Sequence, residues 1–141
     1  MSVDLFTKFA QDPAKLKEGV WINISDAEGV PGRIKVGRYG SPAYNDALKR
    51  HALEMKREVN DSKNLTEAEW DEVATRAAAE TLILDWEDIT LNGQEVKYSY
   101  ELALKILQME EMETFRNFIQ IHSMNSANFA LADTEELSKK L

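Results

Sequence analysis

Residues 20–59, VWINISDAEGVPGRIKVGRYGSPAYNDALKRHALEMKREV, decide the fold, because the hydrophobic period changes inside them. Val20, Ile22 and Ile24 alternate with Trp21, Asn23 and Ser25, the period of two that a half-buried strand requires. Asp26, Gly29, Pro31 and Gly32 then supply turn chemistry, and Ile34 and Val36 resume the alternation. Residues 18–39 therefore predict an antiparallel β-hairpin with a long loop. Beyond Gly40 the period lengthens. Ser41 is placed to cap a helix, with Pro42 at its first position, where a missing N–H costs no hydrogen bond. Tyr44, Leu48, Ala52, Met55 and Val59 follow at spacings of four, four, three and four, the apolar stripe of an amphipathic helix.

Working outward, residues Asn60 to Asn64 form a polar break. Thr66-Glu-Ala-Glu69 reads as a capping box, in which Glu69 returns a bond to the Thr66 backbone. The helix that it opens is expected to turn Trp70, Val73, Ala74, Ala77, Thr81 and Leu84 inward, and its alanines let a neighbouring helix approach closely. Asn92-Gly93, between alternating residues, predicts a second, small hairpin near 88–98, because both central positions of a type I′ turn need positive φ. Ser99 caps a helix that buries Leu102, Ala103, Ile106 and Leu107. A further helix carries Met112, Phe115, Phe118, Ile119 and His122. Asn125-Ser126 bends or restarts it before Phe129, Ala130 and Leu137. Upstream, Val3, Phe6 and Phe9 recur every three residues until Asp12-Pro13, so residues 1–18 form a short helix or a loosely attached N-terminal arm.

The expected fold is mainly α with small antiparallel β-hairpins, an α+β chain forming a single compact domain over residues 1–141. Its helical body spans 42–131, and 132–141 form a C-terminal tail. One contiguous core is expected from Tyr44, Leu48, Met55, Trp70, Val73, Trp86, Leu102, Ile106, Phe115, Phe118 and Ile119.

Composition narrows the function. A chain of 141 residues with 43% hydrophobic content buries a core without disulfide or metal staples. The absence of cysteine excludes disulfide scaffolds, thiolate zinc sites, iron–sulfur clusters and cysteine nucleophiles. No basic segment followed by an apolar run opens the chain, and no stretch approaches the ~20 apolar residues of a membrane span, so a soluble, cytoplasmic protein is expected. The net charge of −8 argues against nonspecific nucleic-acid binding, but it is unevenly placed. Residues 1–60 carry ten Lys/Arg against eight Asp/Glu, a balance of +2, and residues 61–141 carry seven against seventeen, a balance of −10. A near-neutral half holding Arg33, Lys35, Arg38, Lys49, Arg50, Lys56 and Arg57 can meet the acidic half of a neighbouring copy head to tail. The same asymmetry equally suits a monomer whose charge serves solubility.

No catalytic, cofactor-binding or metal-ligating residue is assigned from the sequence. His51, Glu54 and Glu58 share a helix face at i, i+3 and i+7, a spacing compatible with a metal, yet they read first as a solvated Glu/Lys/Arg surface. His122 lies on the apolar side of its helix and reads as a packed ring. Asp88-Ile-Thr90-Leu-Asn92-Gly93 resembles the start of a calcium loop, but Ser99 stands where the bidentate glutamate is required, and strands replace the flanking helices. The carboxylates Asp85, Glu87, Asp88, Glu110, Glu111 and Glu113 carry no mark of burial. The glycines make no phosphate-cradling loop.

Residues 84–131 do carry a pattern. Leu84-Asp-Trp-Glu87 precedes the Asn92-Gly93 turn, and a short strand, Val96-Lys-Tyr98, meets a capped helix with Glu101, Ala103, Ile106 and Leu107. Phe115-x-x-Phe118-Ile119 and Asn128-Phe129 follow, and upstream stand a hairpin with a Gly-rich turn and the Pro42-Ala-Tyr44 helix start. Over roughly residues 18–131 this order resembles the tail assembly chaperones of long-tailed bacteriophages. The resemblance implies a non-enzymatic assembly factor without cofactors that binds the helical tape-measure protein, keeps it soluble and assists tail-tube assembly. It further implies action in the host cytoplasm, absence from the mature virion, no nucleic acid or membrane as partner, and a homo-oligomeric ring or spiral. The alternative is a structural tail or head–tail component retained in the virion. Met55, Met109, Met112 and Met124 could serve an adaptable groove for the partner, or fill the core. Such chaperones are often made in a short and a frameshifted, extended form, with which Lys139-Lys140 is compatible.

Overall fold

The computed structural model describes residues 1–59 and 64–131. Its elements are α1 (Leu5–Phe9), α2 (Pro13–Glu18), β1 (Val20–Asn23), β2 (Arg33–Val36), α3 (Pro42–Glu58), α4 (Glu67–Thr81), β3 (Ile83–Glu87), β4 (Thr90–Leu91), β5 (Gln94–Glu95), α5 (Tyr100–Gln108) and α6 (Glu113–Met124). Short 3-10 turns follow α5 (Glu110–Met112) and α6 (Ser126–Phe129). The polar break at Asn60, the C-terminal tail and the Lys139-Lys140 pair lie wholly or mostly outside the described residues.

Helix starts are fixed by side chains. Ser41 Oγ accepts from the Tyr44 N–H at 3.2 Å, and Ser99 Oγ accepts from Leu102 at 3.1 Å. The Thr66 capping box closes both ways: Glu69 N–H donates to Thr66 Oγ1 at 3.2 Å, and Thr66 N–H donates to Glu69 Oε1 at 2.8 Å.

The expected hairpin forms, with Val20 opposite Val36 and Ile22 opposite Ile34. A third strand, which the hydrophobic pattern does not announce, joins this sheet. β3 pairs antiparallel with the other side of β2, giving the order β1-β2-β3. Leu84, expected on the inner face of a helix, lies in this strand, because α4 stops at Thr81 and Leu82 caps it. The register gives the physical reason. Val36 faces Ile83 and Lys35 faces Asp85, so Leu84 is the extra residue of a bulge. The bulge turns Ile83 and Trp86, three residues apart, to the same buried face, a spacing that imitates a helix. The small hairpin forms as predicted: Thr90 pairs with Glu95 and Leu91 with Gln94 around Asn92 (φ 53°) and Gly93 (φ 82°). Trp86 Nε1 donates to the Val96 carbonyl at 2.9 Å and the Tyr98 hydroxyl to the Ile83 carbonyl at 2.8 Å, which fastens the chain after this hairpin to β3.

The inner face of the sheet (Ile34, Val36, Ile83, Trp86) packs on Tyr44 and Ala47 of α3, Ala77 and Ala79 of α4, Ala103, Ile106 and Leu107 of α5, and Ile119 of α6. A smaller cluster of Ala52, Met55, Leu65 and Val73 extends this core, and Leu48 packs against both. The result is a single compact α+β domain. Trp70 corrects the expected core. It stands in the first turn of α4 and is 47% exposed, while Leu65, just before the cap, takes the buried place. Phe129, read only as a last apolar contact, is fully buried, with the Arg38 guanidinium 5.3 Å from its ring centroid.

The N-terminus resolves into two helices. Asp4 caps α1, and Asp12 caps α2 with Pro13 at its first position. Gln11 bridges to Ala130, the Asp12 N–H donates to the Phe129 carbonyl at 2.8 Å, and Lys15 Nζ donates to the Ala130 carbonyl at 2.9 Å. α1 is thus fixed at its root, yet none of its residues is buried.

Candidate functional site: two apolar grooves and an uncovered arm

The histidine face separates on folding. His51 is buried, with Nδ1 3.2 Å from Glu54 on the same helix and Nε2 3.0 Å from Glu80 across the α3–α4 interface. Glu58 turns away to Arg76, its Oε1 2.9 Å from Nη1. The face therefore forms structural pairs between two helices, and no group of three or more His, Asp or Glu among the described residues is placed to hold a metal ion. Arg50 donates to Glu80 at 2.8 Å, and this bond holds the Glu80 carboxyl below its usual range. His122 stacks on Phe118 at 4.4 Å between centroids, and Asn128 Nδ2 donates to its carbonyl at 3.0 Å. Asp88, with φ 56°, occupies a turn.

Packing leaves two grooves. The first, of about 210 Å³, lies among α4, α5 and α6 and includes Ala74, Ala78, Leu82, Leu107 and Ile119. Tyr39 and Tyr44, with ring centroids 4.8 Å apart, also line it, together with Thr75, Arg116 and Gln120. Burial, followed by charge repulsion from and a hydrogen bond with Tyr39, pushes the Tyr44 hydroxyl up to about 12. Arg116 is held in place, donating to the carbonyls of Leu107 at 2.9 Å and Met109 at 2.7 Å that end α5. The volume is below the roughly 300–1,000 Å³ of small-molecule sites and suits a few inserted side chains. None of Met55, Met109, Met112 and Met124 lines this groove: Met55 belongs to the smaller core cluster and Met124 is exposed. The adaptable methionine surface does not assemble there.

The second groove, of about 510 Å³, runs between α2 and the adjoining ends of α3, α4 and β3. Its apolar lining includes Leu16, Pro42, Ala43 and Leu84, and Lys17, Arg38 and Glu80 contribute charge. Val3, just before α1, and Leu5, Phe6 and Phe9 within it are all exposed.

Residues 39–140 match the model of the YdaY prophage protein family, nearly three quarters of the chain. The chain belongs to this family. It is a phage-derived protein, as the resemblance to phage proteins led one to expect. Every residue lining the first groove falls inside the segment that carries the YdaY match. The elements α1, α2, β1 and β2 precede that segment, and with them the α2 wall of the second groove. No curated protein and no solved structure matches the chain. Among the described residues no helix is long and apolar enough to cross a membrane.

Proposed function

We infer that this YdaY-family chain is a phage tail assembly chaperone: a non-enzymatic factor that binds and solubilises the tape-measure protein and assists tail-tube assembly. The first groove carries the reading. An amphipathic helix is recognised when a few apolar side chains on one face enter a groove between helices while polar groups at the edge fix its direction. Here Ala74, Ala78, Leu82 and Ile119 give the apolar surface, and Tyr39, Arg116 and Gln120 give polar groups. The groove is built wholly from the family segment, and the family's prophage origin agrees with a role in particle assembly. The reading places the protein in the host cytoplasm and outside the mature virion, without nucleic acid, membrane or cofactor. The +2 and −10 balances of its two sequence regions support self-association into a ring or spiral along an extended partner.

Co-expression tests it. The soluble fraction of the cognate tape-measure protein should rise with this chain present. Equal solubility with and without it removes the chaperone reading. Recovery of the chain from purified particles by mass spectrometry would favour a structural tail or head–tail component.

A further inference from the structure

We propose that Asn92-Gly93 is a self-modification site: the Gly93 backbone nitrogen attacks the Asn92 side-chain amide, and the turn ages to aspartate and isoaspartate. The reaction needs no partner and is independent of the chaperone role.

Sequence and fold both single out this turn. Every other asparagine of the chain precedes a residue whose side chain crowds the attacking nitrogen, whereas Asn92 precedes glycine. Asn92 and Gly93 are both exposed, and nothing lies within 4 Å of where a Gly93 Cβ would stand. The Asn92 side chain makes no hydrogen bond among the described residues. Asparagines elsewhere are held. Asn45 and Asn117 lie within α3 and α6, where the next N–H is engaged in the helix. Asn125 Oδ1 accepts from the Ala127 N–H at 3.0 Å, and Asn128 Nδ2 donates to the His122 carbonyl at 3.0 Å.

The hairpin supplies the freedom that ring closure needs. Its base is fastened: the Val96 N–H donates to the Ile89 carbonyl at 3.1 Å, and the Val96 carbonyl accepts from Trp86 Nε1 at 2.9 Å. Its tip rests on two residue pairs, Thr90 with Glu95 and Leu91 with Gln94, so it opens locally while the rest of the fold stands. In the opened turn Asn92 leaves its φ of 53°, and its Cγ comes within reach of the next nitrogen. The Gly93 N–H gives its proton to solvent base, the N–Cγ bond forms, the Cγ–Nδ2 bond breaks, and ammonia leaves with a proton from water. Water then opens the cyclic imide at Cγ, giving aspartate, or at the Asn92 backbone carbonyl, giving isoaspartate with an extra carbon in the main chain. Either product adds a carboxylate to the stretch between Asp88 and Glu95.

Incubating the folded chain at mildly alkaline pH and mapping its peptides by mass tests this. The peptide holding residue 92 should gain the mass of an amide turned acid before any other asparagine does, and electron-transfer fragmentation should find isoaspartate there. Isoaspartate is the mark of the imide, since direct hydrolysis of the amide gives aspartate alone. Asn92→Asp, which has no amide to lose and tolerates the same φ, should show no such gain in that peptide. A urea-unfolded sample run in parallel reports the same chemistry without the fold. No gain at position 92 in the native chain overturns the proposal, and a gain there only in urea does so by showing that the hairpin protects its asparagine. An earlier gain at another asparagine, or aspartate at 92 without isoaspartate, overturns it equally.

Discussion

Gly37 is pressed against Thr81: a Cβ at position 37 would overlap the Thr81 carbonyl oxygen and reach 3.6 Å from the Leu82 Cα. The Gly37 N–H donates to the Leu82 carbonyl at 3.1 Å, so the end of β2 is locked to the corner where α4 becomes β3. The obstacle is backbone, which cannot swing aside as a side chain can. Gly37→Ala should therefore cost roughly 1–3 kcal/mol. Urea unfolding should show a lower midpoint with an unchanged slope, and an unchanged midpoint would contradict this packing.

Phe129 and Trp70 exchange the importance that their size and position suggest. Phe129→Ala empties a fully buried site beneath Arg38 and should cost roughly 3–5 kcal/mol. Trp70→Ala removes a half-exposed ring and should cost about 1 kcal/mol or less. Comparable losses in thermal unfolding would show that Trp70 is buried in solution.

These two residues mark the limits of what the sequence reveals. Helices with local signals are legible: Ser41, Thr66 and Ser99 each cap where expected, and Asn92-Gly93 turns as its φ angles require. β3 is illegible because the bulge at Leu84 breaks alternation and gives Ile83 and Trp86 a helical spacing. Trp70 lies on the stripe of α4 that becomes buried only from Val73, and periodicity does not report where a neighbour begins. The first groove is legible only in part, since Tyr39, Arg116 and Gln120 come together through tertiary packing and leave no short motif. Phe129 meets Arg38 across a long stretch of sequence, a contact that no local pattern announces.

Alkaline stability should depend on Tyr44. Its folded value is raised from 10.0 to about 12, chiefly by burial, so the folded state holds the proton more tightly than the unfolded state. That contribution is complete below pH 10 and is lost as the pH rises through about 12. Between these limits the wild-type midpoint should fall more steeply than that of Tyr44→Phe, which cannot ionise. Parallel curves would count against the buried hydroxyl.

At the acid end, Glu80 should be felt. The hydrogen bond from Arg50 leads in lowering its folded value below the ordinary 4.5, and His51 adds to it. The stabilisation is present above pH 4.5 and is lost as the pH falls through the lowered folded value. Glu80→Gln should be less stable than wild type at neutral pH, and the gap should close in acid. A gap that stays constant from neutral pH to strong acid would mean that the ion pair contributes nothing.

Filling the first groove should separate binding from folding. Ala74 is half-buried on α4 and lines the space of about 210 Å³ shared with Tyr39 and Ile119. Leucine there keeps helix propensity close to that of alanine and points its added carbons into existing space. Ala74→Leu should therefore change stability by about 1 kcal/mol or less, well below the cost of forcing bulk into a closed core. If an apolar side chain of the tape-measure protein needs that space, the variant should leave that protein as insoluble as it is alone. A folded Ala74→Leu chain that still solubilises its partner fully would exclude the α4–α5–α6 groove as the binding surface and direct attention to the exposed Ile121 and Met124 of α6.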